Sequence, residues 1–589
     1  MLRAITFCDN RKRNVNYRQK NCRKKNPANK MKEETTKNDF DLDSILPELG
    51  DFGRFQIVVY IISCVIISLT AAVGLSYIFT TGQVDYRCRI PECDNSSSVY
   101  KSDWLNFTTP AAKGRPATCT RFVSTLNLSQ YYDDNVMIEP ICSADNFNQS
   151  LVERCTSDFI YRNDELTILN EFNLTCIENE WKLTAVGSVG NIAEMLWLPI
   201  AGLLSDRFGR RTILITCLLI GGTMGLLKSF SHNYLMFFIL QIFEGTLSTS
   251  PYIAVFVLGM EFVGPSKRVM AGTLLSSTYC VGVMLLGAVA MYTEHFRHLL
   301  QILYATVLLV LVIIWWMPES VRWLIQMGRN EEAVKIIRNA AVTNKVTLSE
   351  ETELELERLK FKVTDKTENQ INGKSDIQSA LRSKTILLRL LNCCYCFFVN
   401  DLVYFGLSVH SVALGGNKYT NFILIGLSEI PAVLSSYVLM DKLGRKWSIF
   451  LSMMISGGAC ILTEFLPEDA LTWRLVLFIF GKGGISVSIT VLYVYCSELF
   501  PTNVRQSLLS VGCTFGRLGS MAAPQTPLLA HIWPALPLLI FGGTSLMSGL
   551  FILFLPETLN AKLPDTLEDA ENVGVTKKYA AVELKSLKI

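Results

Sequence analysis

The chain has 589 residues, half of them hydrophobic, with a formal charge of only +3 and a positive mean hydropathy. That is the profile of a membrane protein rather than a water-soluble one. The near balance of charge gives no reason to expect a nucleic-acid partner.

The first 54 residues form a polar tail carrying "RKRNVNYRQKNCRKK". It has no apolar stretch resembling a signal peptide, so the amino terminus is expected to be retained and cytoplasmic, its basic run solvated or skimming an anionic leaflet. A bilayer core needs about 20 apolar residues per helix. Twelve segments of that kind follow, at 55–79, 183–204, 212–230, 234–258, 270–291, 299–317, 388–411, 419–439, 447–466, 472–495, 507–530 and 534–555.

Between the first two lies a polar loop, 80–182, that holds the N-x-S/T sequons at Asn95, Asn106, Asn127, Asn148 and Asn173. It also holds six cysteines, Cys88, Cys93, Cys119, Cys142, Cys155 and Cys176. Glycans and disulfides both require the extracellular or lumenal side, which agrees with a cytoplasmic amino terminus. Six cysteines allow fifteen pairings, and the spacing does not choose among them. The other eleven of the 17 cysteines, "CCYC" at 393–396 included, read as small buried apolar residues or tail residues.

Three short motifs occur twice. "GLLSDRFGRR" (202–211), "EFVGPSKR" (261–268) and "MPESVRW" (317–323) are echoed by "MDKLGRK" (440–446), "ELFPTNVR" (498–505) and "LPETLN" (555–560). The intervals from Asp206 to Asp441, from Glu261 to Glu498 and from Glu319 to Glu557 are almost the same length. Offsets this close indicate an internal repeat of six helices, with halves at 55–317 and 388–556, a charged cytoplasmic linker at 318–387 and a cytoplasmic tail at 557–589. In "SDRFGRR", Asp206 is expected to accept from the arginines and cap a neighbouring helix end, with Gly209 making the turn. Asp206, Arg207, Arg210, Glu261, Arg268, Glu319 and Arg322, with Asp441, Arg445, Glu498 and Arg505, are candidates for a latch that joins and releases the halves in alternating access. Simple positive-inside orientation is the plainer alternative.

These motifs carry a resemblance. "GLLSDRFGRR" with "DKLGRK" resembles the loop signature of the major facilitator superfamily. The Cys-rich loop, "MPESVRWL", "VYFGLS" (403–408), "SEIPAVL" (428–434), "YCSELFPTNVR" (495–505) and "GRLGSMAAP" (516–524) are similar to its organic cation, anion and zwitterion transporter family, from about residue 40 to 560. Val321 stands where that family usually has proline, and "HFRHLLQ" (295–301) replaces a usual Trp-Arg pair. The resemblance implies an all-α membrane protein: twelve transmembrane helices in two six-helix halves, the major facilitator fold, with a large disulfide-rich extracellular loop.

Asp401, Glu429, Lys482 and Arg517 fall at apparent membrane depth, where ionisable groups face a cavity or one another. Phe397, Asp401 and Tyr404 share a helical stripe, as do Lys482 and Tyr493 on another segment. Rings hold a cationic head, and a fork of donors holds a carboxylate. The resemblance implies that Arg517 occupies a position where carriers of anions or zwitterions have arginine and cation carriers aspartate. It also matches Glu429 to a glutamate implicated in cation attraction, and Tyr404 and Lys482 to cavity positions. Asp401 departs from the family's small residue, and Glu194 and Glu244 are unusual too. The alternative is that Arg517 and Lys482 pair with Glu429 or Asp401 to hold helices together.

The expected function is carriage of small organic cations or zwitterions, such as carnitine-like compounds, betaines or amine conjugates, across the plasma membrane. Its partners would be the small organic ion, a coupling ion (Na+ or H+) and the lipid bilayer. An organic-anion or sugar-type facilitator is the nearest alternative, and a channel or receptor the alternative of another class. His232, His295, His298, His410 and His531 form no metal or catalytic spacing, so no metal, cofactor or enzymatic activity is expected.

Overall fold

The computed structural model describes residues 42–573 except 51, 95–98, 113–114, 126–131, 134–135, 138–141, 156–157, 164, 249, 265–266, 362–379, 468, 502–503, 560–563 and 565–566. Asn95, Asn127 and most of both tails lie outside the described residues.

Over their described residues, the twelve apolar segments are largely helical. The first half comprises α1 (Arg54–Gly74), α2 (Ile177–Phe208), α3 (Arg210–Lys228), α4 (Tyr234–Glu261), α5 (Arg268–Thr293) and α6 (Phe296–Ile314). The second comprises α7 (Lys384–His410), α8 (Lys418–Lys442), α9 (Arg445–Phe465), α10 (Leu471–Leu499), α11 (Arg505–Ala522) and α12 (Leu536–Ile552). Helices α1 to α10 are long and apolar enough to cross a bilayer, and α12 is a shorter apolar helix.

The eleventh segment, expected as one helix over 507–530, is broken. After Ala522 the chain makes a 3₁₀ turn, Ala523–Gln525, and resumes as Thr526–Ile532. Pro524 and Pro527 supply no backbone N–H, which interrupts the i→i−4 ladder there. Helix α2 starts ahead of its apolar stretch, with Glu178 and Glu180 in a first turn whose dipole favours acidic side chains.

Buried apolar side chains gather into two main cores, one built from α1–α6 and one from α7–α12. The repeat is visible at the turns. Gly209, at φ 102°, joins α2 to α3, and Gly444, at φ 91°, joins α8 to α9, both in the region glycine enters without strain. The carboxylate that caps the following helix is not that of Asp206, as expected, but that of Glu319. Glu319 accepts from Arg211 N at 3.1 Å, and Glu557 accepts from Arg445 N at 3.0 Å. Each acid has been brought to the start of the helix by the far end of its own half, so the capping link is long in sequence. Trp323 adds a bond from its Nε1 to Asp206 O at 2.7 Å.

The loop between α1 and α2 contains short antiparallel strands, including Thr120–Ser124 against Phe147–Arg154. It is cross-linked as Cys88–Cys155, Cys93–Cys142 and Cys119–Cys176. Beneath these bridges Arg87 is buried with all five N–H donors used, two on Asp94 at 2.7 Å and the rest on Tyr100 O, Cys88 O and Val99 O. Asn106 and Asn173 are exposed at the surface. Cys393, Cys394 and Cys396 are buried, as their apolar setting predicts.

On the opposite side, the linker helices Val321–Gln326, Asn330–Asn344 and Glu350–Phe361 pack on the first half. Asn344 fastens them, donating to Leu49 O at 2.8 Å and accepting from Phe55 N at 2.8 Å. Helix Leu567–Asn572 is held by α7 of the second half, where Arg389 donates to Ala570 O.

Candidate substrate site between the halves

The halves touch through α2 against α11 and α5 against α8. On the loop side that seam is stitched by polar contacts. Ser188 Oγ donates to Met521 O at 2.8 Å, Asn191 Nδ2 to Ser520 O at 3.0 Å, and Gln525 Nε2 to Ser188 Oγ at 2.8 Å. His531 pairs with Glu180, Lys418 bonds Glu165 at 2.6 Å, and the Phe79 ring stacks on Tyr419 at 5.6 Å. Along α2 the buried positions run from Glu180 to Glu194 and then stop, apart from Ala201. On the linker side, two motif pairs close within their own halves, Asp206 with Arg210 at 3.1 Å and Arg445 with Glu498 at 3.0 Å. The polar contacts named across the seam thus lie on its loop side.

Two charge clusters meet at its middle. In the second half, Lys482 Nζ donates to Tyr404 O at 2.7 Å and Ser408 Oγ at 2.6 Å, and lies 3.5 Å from Glu429 Oε1. Tyr404 OH donates to the other oxygen of Glu429 at 2.8 Å, and the ammonium lies 3.2 Å from the Tyr404 ring centroid. An ammonium has three donors, and each faces an acceptor. The Lys482 side chain is 1% exposed.

Arg517, on α11, is differently placed. Its Nε lies 3.1 Å from Glu194 Oε1 of α2, without the alignment of a hydrogen bond. Its two terminal nitrogens bond no described residue, and the side chain is 20% exposed. Asp401 stands close by: a Cβ at Gly516 would meet its Oδ2 at 2.8 Å, and Asp401 acts electrostatically on Arg517 with Glu194. Phe397 and Tyr493 face each other edge to face at 5.1 Å, with Phe397 buried and Tyr493 41% exposed. The site thus combines an arginine fork, three acids and a set of rings.

The Major Facilitator Superfamily model matches residues 165–524. The human "Organic cation/carnitine transporter 2" is 31% identical over 90% of this chain and 93% of its own length, and the Drosophila melanogaster "Organic cation transporter protein" 30% identical over 90% and 95%. This chain belongs to the Major Facilitator Superfamily, within its organic cation, anion and zwitterion transporter family. Among solved structures, the proton:xylose symporter XylE bound to a sugar analogue superposes with TM-score 0.52 at 19% identity, covering 68% of this chain and 92% of its own. A partially occluded inward-open form of XylE from E. coli gives 0.54 at 14%, covering 85% and 100%. Both share the fold.

The protein is thus a multi-pass membrane transporter. The site residues named from its sequence are all on the second half, and the structure brings Phe397, Asp401, Tyr404, Glu429, Lys482, Tyr493 and Arg517 together there. Sequence reasoning left the first half's share unassigned. Tyr279 of α5 lies within electrostatic reach of Arg517, Glu429 and Glu194, and it packs edge to face on Tyr252 of α4 at 5.9 Å. Glu194 had a usable signal, since the interval from Glu194 to Glu429 equals that from Asp206 to Asp441. Glu244 is elsewhere, in a buried first-half cluster where Lys228 Nζ bonds Gln241 Oε1 at 2.9 Å and Glu244 Oε2 at 3.3 Å.

Proposed function

We propose that this transporter carries small organic cations and zwitterions across the plasma membrane, with the disulfide-linked loop outside, glycans on its sequons, and both termini in the cytoplasm. The observation that carries this reading is the open guanidinium of Arg517. A buried arginine is retained only where something offsets its desolvation, and here one misaligned glutamate is its sole direct partner among the described residues. Its fork suits a substrate carboxylate. Glu194, Asp401 and Glu429 outnumber Lys482 and Arg517 by one formal negative charge, and the rings of Phe397, Tyr493, Tyr252 and Tyr279 suit a quaternary or substituted ammonium. Lys482, with its donors engaged, orders Glu429 and Tyr404 rather than contacting substrate.

The protein acts by position and conformational exchange, without a catalytic step. Alternating access supplies the motion: the loop-side contacts separate, and the motif charges on the linker side re-pair across the seam as a latch.

Arg517→Lys tests the site. Lysine keeps the charge and loses the fork. Surface expression should be retained, uptake of a trimethylammonium carboxylate should fall about tenfold, the size of one strong charge-assisted contact, and uptake of tetraethylammonium should fall less. Equal losses for both substrates would place Arg517 in a purely structural pair.

A further inference from the structure

The repeat explains why Arg517 has the partner it has. Glu194 stands as far before Asp206 as Glu429 stands before Asp441, so the two glutamates are equivalent positions of α2 and α8. Arg517 likewise stands as far after Arg505 as Cys280 stands after Arg268. The register of that pair is fixed by geometry, because Arg505 Nε donates to Phe500 O and Arg268 Nε to Val263 O, each at 3.2 Å and each five residues back. Glu194 facing Arg517 is therefore the repeat-mate of Glu429 facing Cys280, whose Sγ lies 3.9 Å from Glu429 Oε2.

The two crossings differ in what neutralises the acid. Glu429 has a cation in its own half, Lys482, which precedes the motif acid Glu498 on α10. Counted back equally from Glu261, the matching position of α4 is Gly245. There α4 closes on α2 backbone to backbone, such that a Cβ on Gly245 would meet Gly190 Cα at 2.7 Å. No lysine fits in that contact. Among the described residues Glu194 has no cation from its own half, and it reaches across the seam to Arg517.

We propose that Glu194 is a tethered carboxylate that holds Arg517 in the empty transporter, and that a dipolar substrate inserts itself between the two. The substrate carboxylate takes the guanidinium, and its cationic end takes the released Glu194. The inserted ion satisfies both buried charges, whereas a monocarboxylate would occupy Arg517 and leave Glu194 uncompensated, a strongly unfavourable state for a buried charge. Glu194 is then the specificity residue that rejects simple carboxylates and admits solutes carrying both charges a short distance apart. Its place on the opposite half also means that substrate binding exchanges a direct link between the halves for one that runs through the substrate. This inference rests on the reading of Arg517 given above.

The test uses the full-length transporter expressed in cells, with labelled trimethylammonium carboxylate and labelled butyrate as probes, and compares wild type with Glu194→Gln. Gln keeps the size and removes the charge. The ratio of affinities, dipolar ion over butyrate, should fall about tenfold, one strong charge-assisted contact's worth, chiefly through tighter butyrate binding. An unchanged ratio at normal surface expression overturns the proposal. Should Glu194→Gln fail to reach the surface, Glu194→Asp keeps the charge on an arm one methylene shorter. Butyrate should then raise the thermal unfolding temperature of the purified variant but not that of the wild type, and equal behaviour of the two overturns the proposal. If Arg517→Lys behaves as expected and the Glu194 ratio does not move, only the role of Glu194 fails. If Arg517→Lys leaves zwitterion uptake unaltered, the reading of the site fails with it.

Discussion

Lys482 and Arg517 are both cations of the second half set within apolar helices, and they have opposite surroundings. Lys482 spends its three donors on Tyr404 O, Ser408 Oγ and Glu429, all within the second half. Among the described residues Arg517 has one ion-pair contact, and that contact belongs to the other half. Arg87 in the loop shows what a fully satisfied arginine looks like, with five donors on four residues. On the reading proposed above, the difference separates a charge that holds the fold from one kept for a ligand: the first is saturated by its own domain, and the second is left with donors to spare and a partner that can leave.

The comparison breaks first, if it is wrong, at Lys482. Removing one member of a buried pair leaves the other uncompensated and costs about 3–5 kcal/mol. Lys482→Met should therefore destabilise the purified transporter by that amount or abolish surface delivery. Adding Glu429→Gln should recover much of the loss, because the orphaned charge disappears with it. Arg517→Lys should cost far less stability. Comparable unfolding temperatures for the Lys482 and Arg517 variants would erase the distinction drawn here.

An intermediate effect is expected at Asp206, whose carboxylate is exposed and, among the described residues, pairs only with Arg210 across the turn at Gly209. An ion pair with one partner this exposed contributes about 0.2–1 kcal/mol, so Asp206→Asn should change the unfolding temperature only slightly. If the charges of this motif re-pair across the seam when the linker side closes, the same variant should lower the maximal transport rate several-fold with substrate affinity retained. Kinetics over a range of substrate concentrations checks this. A collapse of affinity at full rate would remove the latch role.

How much of this was legible beforehand follows the same division. Hydropathy showed the helices because lipid demands about 20 apolar residues of each, and the twice-occurring acidic motifs showed the repeat because each half solves the same turn. Prolines at 524 and 527 were visible, yet their interruption of the eleventh helix was masked by the apolar residues around them. The capping role of Glu319, assigned to Asp206 from the local sequence, depends on a contact spanning 108 residues. The disulfide pairing was closed to sequence, because spacing does not encode which strands meet. The site was half legible. Charges in apolar runs announced Lys482 and Arg517, but whether each is saturated is a property of neighbouring helices, and Tyr252 and Tyr279 look like ordinary aromatic residues until the halves are brought together.

The smallest expected effect lies at the exposed end of the same scale. Glu48, on the short helix preceding α1, accepts from Thr352 Oγ1 at 2.6 Å and from Ser349 N at 2.6 Å, joining that helix to the linker of its own half. The hydrogen bond from Thr352, followed by those from Ser349, holds its carboxyl below the usual value near 4.5, against a partial opposing effect of desolvation. A carboxyl whose folded value is depressed contributes stability that is present above the unfolded value and disappears as pH falls through the folded one. Because Glu48 is only partly buried and open to solvent screening, that contribution amounts to about a few tenths of a kcal/mol. Glu48→Gln should therefore lower the unfolding temperature slightly at pH 7, and the gap from wild type should narrow as the pH falls below the usual carboxylate value and Glu48 takes up its proton. Transport should be unaffected at either pH, since the contact stays within one half and meets neither the seam nor the site. A larger effect on transport than on unfolding would show that the linker of the first half takes part in the exchange between conformations, and would extend the class of charges that move beyond those that cross the seam.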